Sequence, residues 1–141
     1  MEVFKGQVFE DARGKLIAFN DFSMDKVKRM YQIYHPNTSI VRAWQGHKLE
    51  SKWFYVVEGA FVLAYVCIDD FLNPSKHLSA IYHMINAEDK IILNVPCGYA
   101  NGLKSIVPNS KILVFSDMNL ESAKDDSFKY DSHYWLNWHQ L

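Results

Sequence analysis

The chain has 141 residues with 15 basic and 16 acidic side chains, for a net charge of −1. That length suits one domain with a sizeable core, and neither the total charge nor any run of like charge calls for nucleic acid or an anionic membrane as partner. A hydrophobic share of 49% excludes a disordered chain, while no stretch reaches the roughly 18 consecutive apolar residues of a membrane span and the opening MEVFKGQVFEDARGK holds no apolar run of signal-peptide length.

Taken in chain order, residues 22–29 read as about two helical turns with Ser23 as N-cap. Residues 39–44 are short and β-rich. Lys52–Glu58 (KWFYVVE) and residues 60–68 (AFVLAYVCI) are dense in aromatic and β-branched side chains, and Gly59 between them predicts a hairpin. Residues 69–76, with Pro74 and two aspartates, read as a loop. Residues 78–85, 90–95 and 111–115 are further strands, with a sharp turn at Pro96–Gly98. Residues 117–131 are polar and read as irregular. The aromatic tail around Trp135 and Trp138 is expected to pack on the body of the protein or on a partner subunit. Many short strands separated by turn residues predict an all-β sandwich or barrel, and with no repeat or linker the economical organisation is a single domain over residues 1–141. Cys67 and Cys97 form no CxxC pair and lie in apolar strand-like segments. They read as buried, reduced thiols of a cytoplasmic protein.

Two stretches carry chemistry. In Val41-Arg42-Ala43-Trp44-Gln45-Gly46-His47-Lys48, Gln45 and His47 are two apart and share one strand face, whereas Arg42 faces the other way if the strand is regular. Lys52, five residues on, either places an ammonium near the barrel mouth or is a solvated strand end. In the second stretch, Pro96-Cys97-Gly98 turns the chain and brings Tyr99 or Asn101 toward the same mouth, although Asn101-Gly102 also reads as a plain turn pair. The remaining histidines, His35, His77, His83, His133 and His139, show no metal spacing and read as structural.

In spacing, these stretches resemble the two signature blocks of the cupin fold, H-x-H…E…G and P-x-G-x-x-H. Here they read Gln45-x-His47…Lys52…Gly59 and Pro96-x-Gly98-x-x-Asn101. The resemblance implies a double-stranded β-helix, or jelly-roll barrel. One histidine with an amide pair and a cationic lysine is a poor donor set for a transition metal, so neither metal nor other cofactor is expected. The resemblance narrows to the sugar-nucleotide 3,5-epimerases and 3,4-ketoisomerases of deoxysugar biosynthesis. Asp11-Ala12-Arg13-Gly14 is similar to their D-x-R-G opening. Lys28-Arg29-Met30-Tyr31-Gln32-Ile33-Tyr34 is similar to the ketoisomerase K-R-V-Y-Y-I strand, Arg42 to Lys48 to R-G-x-H-A-H-K, and Val95 to Gly102 to I-P-P-G-x-A-H-G.

That family resemblance implies a dTDP-linked 4-keto-6-deoxyhexose as substrate and a homodimer that exchanges N-terminal strands. It also implies acid–base chemistry with His47 as proton carrier and Tyr31 or Tyr34 as acid, and contacts from Arg13, Arg42, Gln45, Lys52, Tyr99 and Asn101. The departures are specific. Gln45 stands where the 3,5-epimerases have their base, and an amide takes no proton at neutral pH. Leu113, ahead of Ser116-Asp117, stands where their tyrosine acid is expected. Three functions therefore remain: a metal-independent isomerase or epimerase, a cupin that binds nucleotide-sugar or other carbohydrate without turnover, and a different carbohydrate chemistry.

Overall fold

The structure, a computed structural model, describes residues 1–141. The elements are β1 (Val3–Lys5), β2 (Gln7–Asp11), β3 (Gly14–Ala18), β4 (Arg29–His35), β5 (Val41–His47), β6 (Lys52–Glu58), β7 (Ala60–Cys67), β8 (Ile81–Asn86), β9 (Ile91–Val95), β10 (Tyr99–Ser105), β11 (Ser110–Ser116), one short helix α1 (Leu120–Asp125) and β12 (Phe128–Lys129). Two five-stranded antiparallel sheets, ordered β1-β9-β6-β11-β4 and β12-β5-β10-β7-β8, face each other, and β2 and β3 form a separate hairpin. This is a two-sheet barrel of the kind expected from the strand spacing, with the jelly-roll arrangement that the cupin resemblance implies.

Period-two alternation divides the side chains. Phe54 and Val56 of β6, Ile112 and Val114 of β11, Phe61 and Leu63 of β7 and Leu103 of β10 point between the sheets and form the inner core. The outer face of the first sheet is covered by the N-terminal segment, where Phe22 packs on Phe4, Trp53 and Phe115. The outer face of the second sheet is covered by the C-terminal tail, where Trp138 joins Trp44, Val62, Ala64, Val66 and Ala100 in a second buried cluster. Strand β7 is thus buried on both faces, which is why its sequence is continuously apolar.

Four expectations change. Residues 22–29 form no helix, because Phe22 is drawn down onto the sheet and Ser23 Oγ accepts from the Asp25 amide in a local turn. β6 and β7 are not a hairpin: β6 pairs with β9 and β11, and β7 with β8 and β10, so Gly59 carries the chain from one sheet to the other. Residues 117–131 contain α1 and β12, with Asn119 capping the helix. Cys67 and Cys97 are both exposed, since one ends β7 and the other sits in the β9–β10 turn.

Gly59 has φ +72, and a Cβ there would collide with the Ser110 side chain. Gly59→Ala combines left-handed strain with overpacking and should lower stability by about 1–3 kcal/mol, read as a fall in the urea midpoint at unchanged slope.

Candidate functional site

A cavity of about 730 Å³ opens at one end of the barrel, within the usual size range of small-molecule sites. The first sheet contributes Arg29, Tyr31 and Ile33 from β4, and Lys52 and Phe54 from β6. The second contributes Arg42, Gln45 and His47 from β5, and Asn101 and Leu103 from β10. The segment after β11 closes one side with Lys124, Ser127, Lys129 and Tyr130.

Arg42 reaches this cavity because β5 is irregular. Asn101 pairs with Gln45 but Leu103 pairs with Arg42, so β5 holds one extra residue opposite Gly102. That bulge flips the alternation and puts Arg42 on the face of Gln45 and His47, where a regular strand would turn it away. Asn101 lies within β10 and donates from Nδ2 to the Gln45 carbonyl at 3.2 Å. The turn reading of Asn101-Gly102 is therefore replaced by a strand. Gly102 is needed there for close approach, since a Cβ would lie 2.6 Å from Ala43 and 2.7 Å from Trp138.

At the floor, four groups interlock. His47 Nδ1 is 2.9 Å from the Asp126 carbonyl oxygen and 2.9 Å from Glu50 Oε2. His47 Nε2 is 2.7 Å from Lys52 Nζ, which lies 3.7 Å from Glu50 Oε2. Glu50 Oε1 accepts from Arg29 at 2.9 Å and from Ser116 Oγ at 2.5 Å. The Asp126 carboxylate accepts the backbone N–H groups of Lys48, Leu49 and Glu50 at 2.8 to 2.9 Å, which fixes the β5–β6 turn on which Glu50 rides. Lys52 is buried, not a solvated strand end.

Burial alone would raise the Glu50 carboxyl, but His47, Lys52 and Ser116 outweigh it and hold it at about 2. Burial pushes Lys52 down from the ordinary lysine value, with Arg29 adding to the fall and Glu50 opposing it. Burial, helped by the Glu50 charge, pushes the Tyr31 phenol up to about 12, so Tyr31 keeps its proton and can donate a hydrogen bond. Gln45 Nε2 is engaged by Ser127 Oγ at 2.8 Å and by the Phe128 carbonyl at 3.3 Å. The residues do not fit a transition metal, because the Nε2 position that a metal would take faces the Lys52 side-chain nitrogen.

Of the sequence-based candidates, the structure gathers His47, Tyr31, Arg42, Gln45, Lys52 and Asn101 around the cavity. Tyr34 lies three residues from Tyr31, on the opposite face of β4. It is exposed and bonds Asn109 Oδ1 at 2.6 Å. Tyr99 points between the sheets beside Tyr65 but does not line the cavity. Arg13 sits at the tip of the β2–β3 hairpin, paired with Asp11 at 2.5 Å, away from the cavity. Sequence reasoning missed Arg29, Glu50, Lys124, Asp126 and Lys129. An acid three residues after His47 was a usable signal for Glu50, but nothing local marks Asp126, whose partners are more than 70 residues away.

No family model matches the sequence, and no curated protein matches it. Solved structures do. The dTDP-4-dehydrorhamnose 3,5-epimerase of Bacillus anthracis, with TDP and pyrophosphate bound, superposes with a TM-score of 0.73 at 16% identity, covering 90% of this chain and 76% of that one. A point mutant of a 3,4-ketoisomerase from Thermoanaerobacterium thermosaccharolyticum, in complex with TDP-4-keto-6-deoxyglucose, gives 0.73 at 16% over 94% and 89%. The TDP-quinovose 3,4-ketoisomerase of Campylobacter jejuni gives 0.69 at 18% over 96% and 97%. The chain therefore has the fold these enzymes share.

The low Glu50 value has a consequence for acid stability. Its folded pKa lies below the ordinary 4.5, so its contribution is present above about pH 4.5 and is lost as pH falls toward 2. Thermal melts between pH 7 and 2.5 should show a steep acid limb in the native protein and a flatter one in Glu50→Gln.

Proposed function

We propose that the protein is an isomerase, a 3,4-ketoisomerase or epimerase acting on a dTDP-linked 4-keto-6-deoxyhexose in deoxysugar or surface-polysaccharide biosynthesis. The observation that carries this is the charge of the cavity. Arg29, Arg42, Lys52, Lys124 and Lys129 line it against the single carboxylate Glu50, in a chain whose net charge is −1. Cations concentrated at one mouth suit a diphosphate. The acid–base cluster of His47, Glu50 and Lys52 suits proton transfer next to a ketone, and neutral Tyr31 suits hydrogen bonding to its oxygen. Neighbours of the same fold that bind TDP or TDP-4-keto-6-deoxyglucose support the ligand class.

Lys124 and Lys129 are exposed and line the cavity with Arg42, which suits them to the diphosphate and leaves the buried Asn101 and Lys52 for the sugar. A second reading, nucleotide-sugar binding without turnover, is favoured by Gln45, whose amide is tied to Ser127 and Phe128 and takes no proton. The protein acts as a homodimer. The β2–β3 hairpin belongs to neither main sheet and exposes Val8, Phe9, Leu16 and Ile17, an apolar surface that a partner would cover. An exchanged hairpin carries Arg13 away from its own barrel, so any nucleotide it meets is the partner's. The compartment is cytoplasmic: two exposed, unpaired cysteines suit a reducing environment. No helix is long and apolar enough to cross a membrane.

Thermal melts with dTDP, UDP, GDP and ADP test the ligand class. A nucleotide at a hundredfold excess over its dissociation constant adds about 2.7 kcal/mol of stability, and dTDP is expected to give the largest rise. The double variant Lys124→Ala/Lys129→Ala should bind dTDP about tenfold more weakly and with a shallower salt dependence. No shift with any nucleotide would remove the nucleotide-sugar reading. Proton NMR of TDP-4-keto-6-deoxyglucose in deuterated water then separates the two readings: deuterium entering beside the ketone means turnover, and binding without exchange means the second. Sedimentation of native protein should show a dimer, and Phe9→Asp/Leu16→Asp a monomer.

A further inference from the structure

His47 is the obvious proton carrier, yet both of its ring nitrogens are already occupied. A neutral imidazole has one N–H and one lone pair. The Asp126 carbonyl, 2.9 Å from Nδ1, can only accept, so the hydrogen sits on Nδ1. The lone pair on Nε2 faces Lys52 Nζ at 2.7 Å. A substrate could reach Nε2 only by displacing Lys52. The lysine itself carries up to three hydrogens, spends one on Nε2, and lines the cavity. Behind the ring, buried Glu50 Oε2 accepts no hydrogen bond although it stands 2.9 Å from Nδ1.

We infer that Lys52 is the catalytic residue that exchanges protons with the substrate carbon, and that His47 and Glu50 are positioning residues that take up and return the lysine's proton. This rests on the reading of the cavity as a 4-keto-sugar site. The Lys52 ammonium passes one proton to His47 Nε2, and the imidazolium is held by Glu50 Oε2 and the Asp126 carbonyl. The free amine then removes the proton from the carbon beside the ketone. The C–H electron pair becomes a carbon–carbon double bond, and the carbonyl oxygen takes the negative charge. Delivery of a solvent proton to the opposite face of the same carbon, with the lysine's proton released to solvent, gives an epimer. For carbonyl migration the proton goes to the former carbonyl carbon, while the neighbouring hydroxyl proton passes to the former carbonyl oxygen. Both outcomes conserve atoms and electrons without an external reductant. The arrangement also explains how an amide is tolerated at position 45: the base has moved to the facing sheet.

The charged and titratable groups around Lys52 are His47 on β5, Glu50 in the β5–β6 turn, Arg29 and Tyr31 on β4, and Asp126 beyond α1. Burial and Arg29 favour the free amine, while Glu50 and Asp126 favour the ammonium.

Two readouts test this on the full-length protein. Carbon-13 NMR of Cε-labelled lysine, with the Lys52 signal assigned through Lys52→Arg, should place its titration below the ordinary lysine value of about 10.4. A Lys52 signal at the ordinary value overturns the proposal, whether or not the protein turns over. In deuterium exchange with TDP-4-keto-6-deoxyglucose, Lys52→Ala should lose about 10²–10⁴-fold in rate while still binding dTDP, and added methylamine should restore part of it. His47→Gln should retain a slower, lysine-dependent exchange with its pH–rate profile moved upward. Full exchange in Lys52→Ala, or loss in His47→Gln as complete as in Lys52→Ala, overturns the relay. A native protein that binds dTDP but exchanges no proton refutes turnover and with it the catalytic role of Lys52.

Discussion

The candidate site depends on one buried carboxylate. Asp126 gathers three consecutive backbone amides, those of Lys48, Leu49 and Glu50, and its own carbonyl receives His47 Nδ1. Charge-assisted bonds of this kind are among the stronger hydrogen bonds in a protein. They tie the segment after α1 to the β5–β6 turn. That tie joins the bonds from Arg29 and Ser116 in fixing Glu50 beneath His47, and it adds to the support of the short β12 ladder against Gly46 and Gln45. The same carboxylate therefore contributes to both the floor of the cavity and its outer wall.

A buried carboxylate such as Glu50 is costly unless it is paired and hydrogen-bonded. Here Arg29, Ser116, His47 and Lys52 surround it, each from a different strand or turn. The four partners come from both sheets, so the acid–base cluster exists only when the two sheets are docked. The same docking concentrates cations. Total charge near zero hides a cavity lined by five cationic side chains and one anion, because the compensating acids lie elsewhere on the surface.

Strand patterning was legible wherever one face is buried or both are. KWFYVVE, the long run of β7 and the short run of β11 were readable because apolar β-branched and aromatic residues alternate or run without a break. Which strands pair was not legible. Gly59 looked like a hairpin turn because local sequence cannot distinguish a tight reversal from a crossover between sheets. The segment 117–131 looked irregular because α1 is short, polar and held by capping and by Asp126 rather than by an apolar stripe. Tyr31 and Tyr34 were equal candidates until the strand parity separated them.

The sequence by itself determined the strand-rich architecture, the spacing of the two blocks around His47 and Asn101, and the inability of the amide at Gln45 to take a proton, since these follow from residue chemistry and short-range periodicity. Only the tertiary structure decided that Arg42 turns inward through a bulge, that Arg13 and Tyr34 stand outside the cavity, and that Glu50 and Asp126 underlie His47. It also decided that Lys52, on the opposite sheet, fills the last free nitrogen of that ring. These are contacts between strands and segments brought together by the docking of two sheets, and no local pattern encodes which residue of one sheet will face which residue of the other.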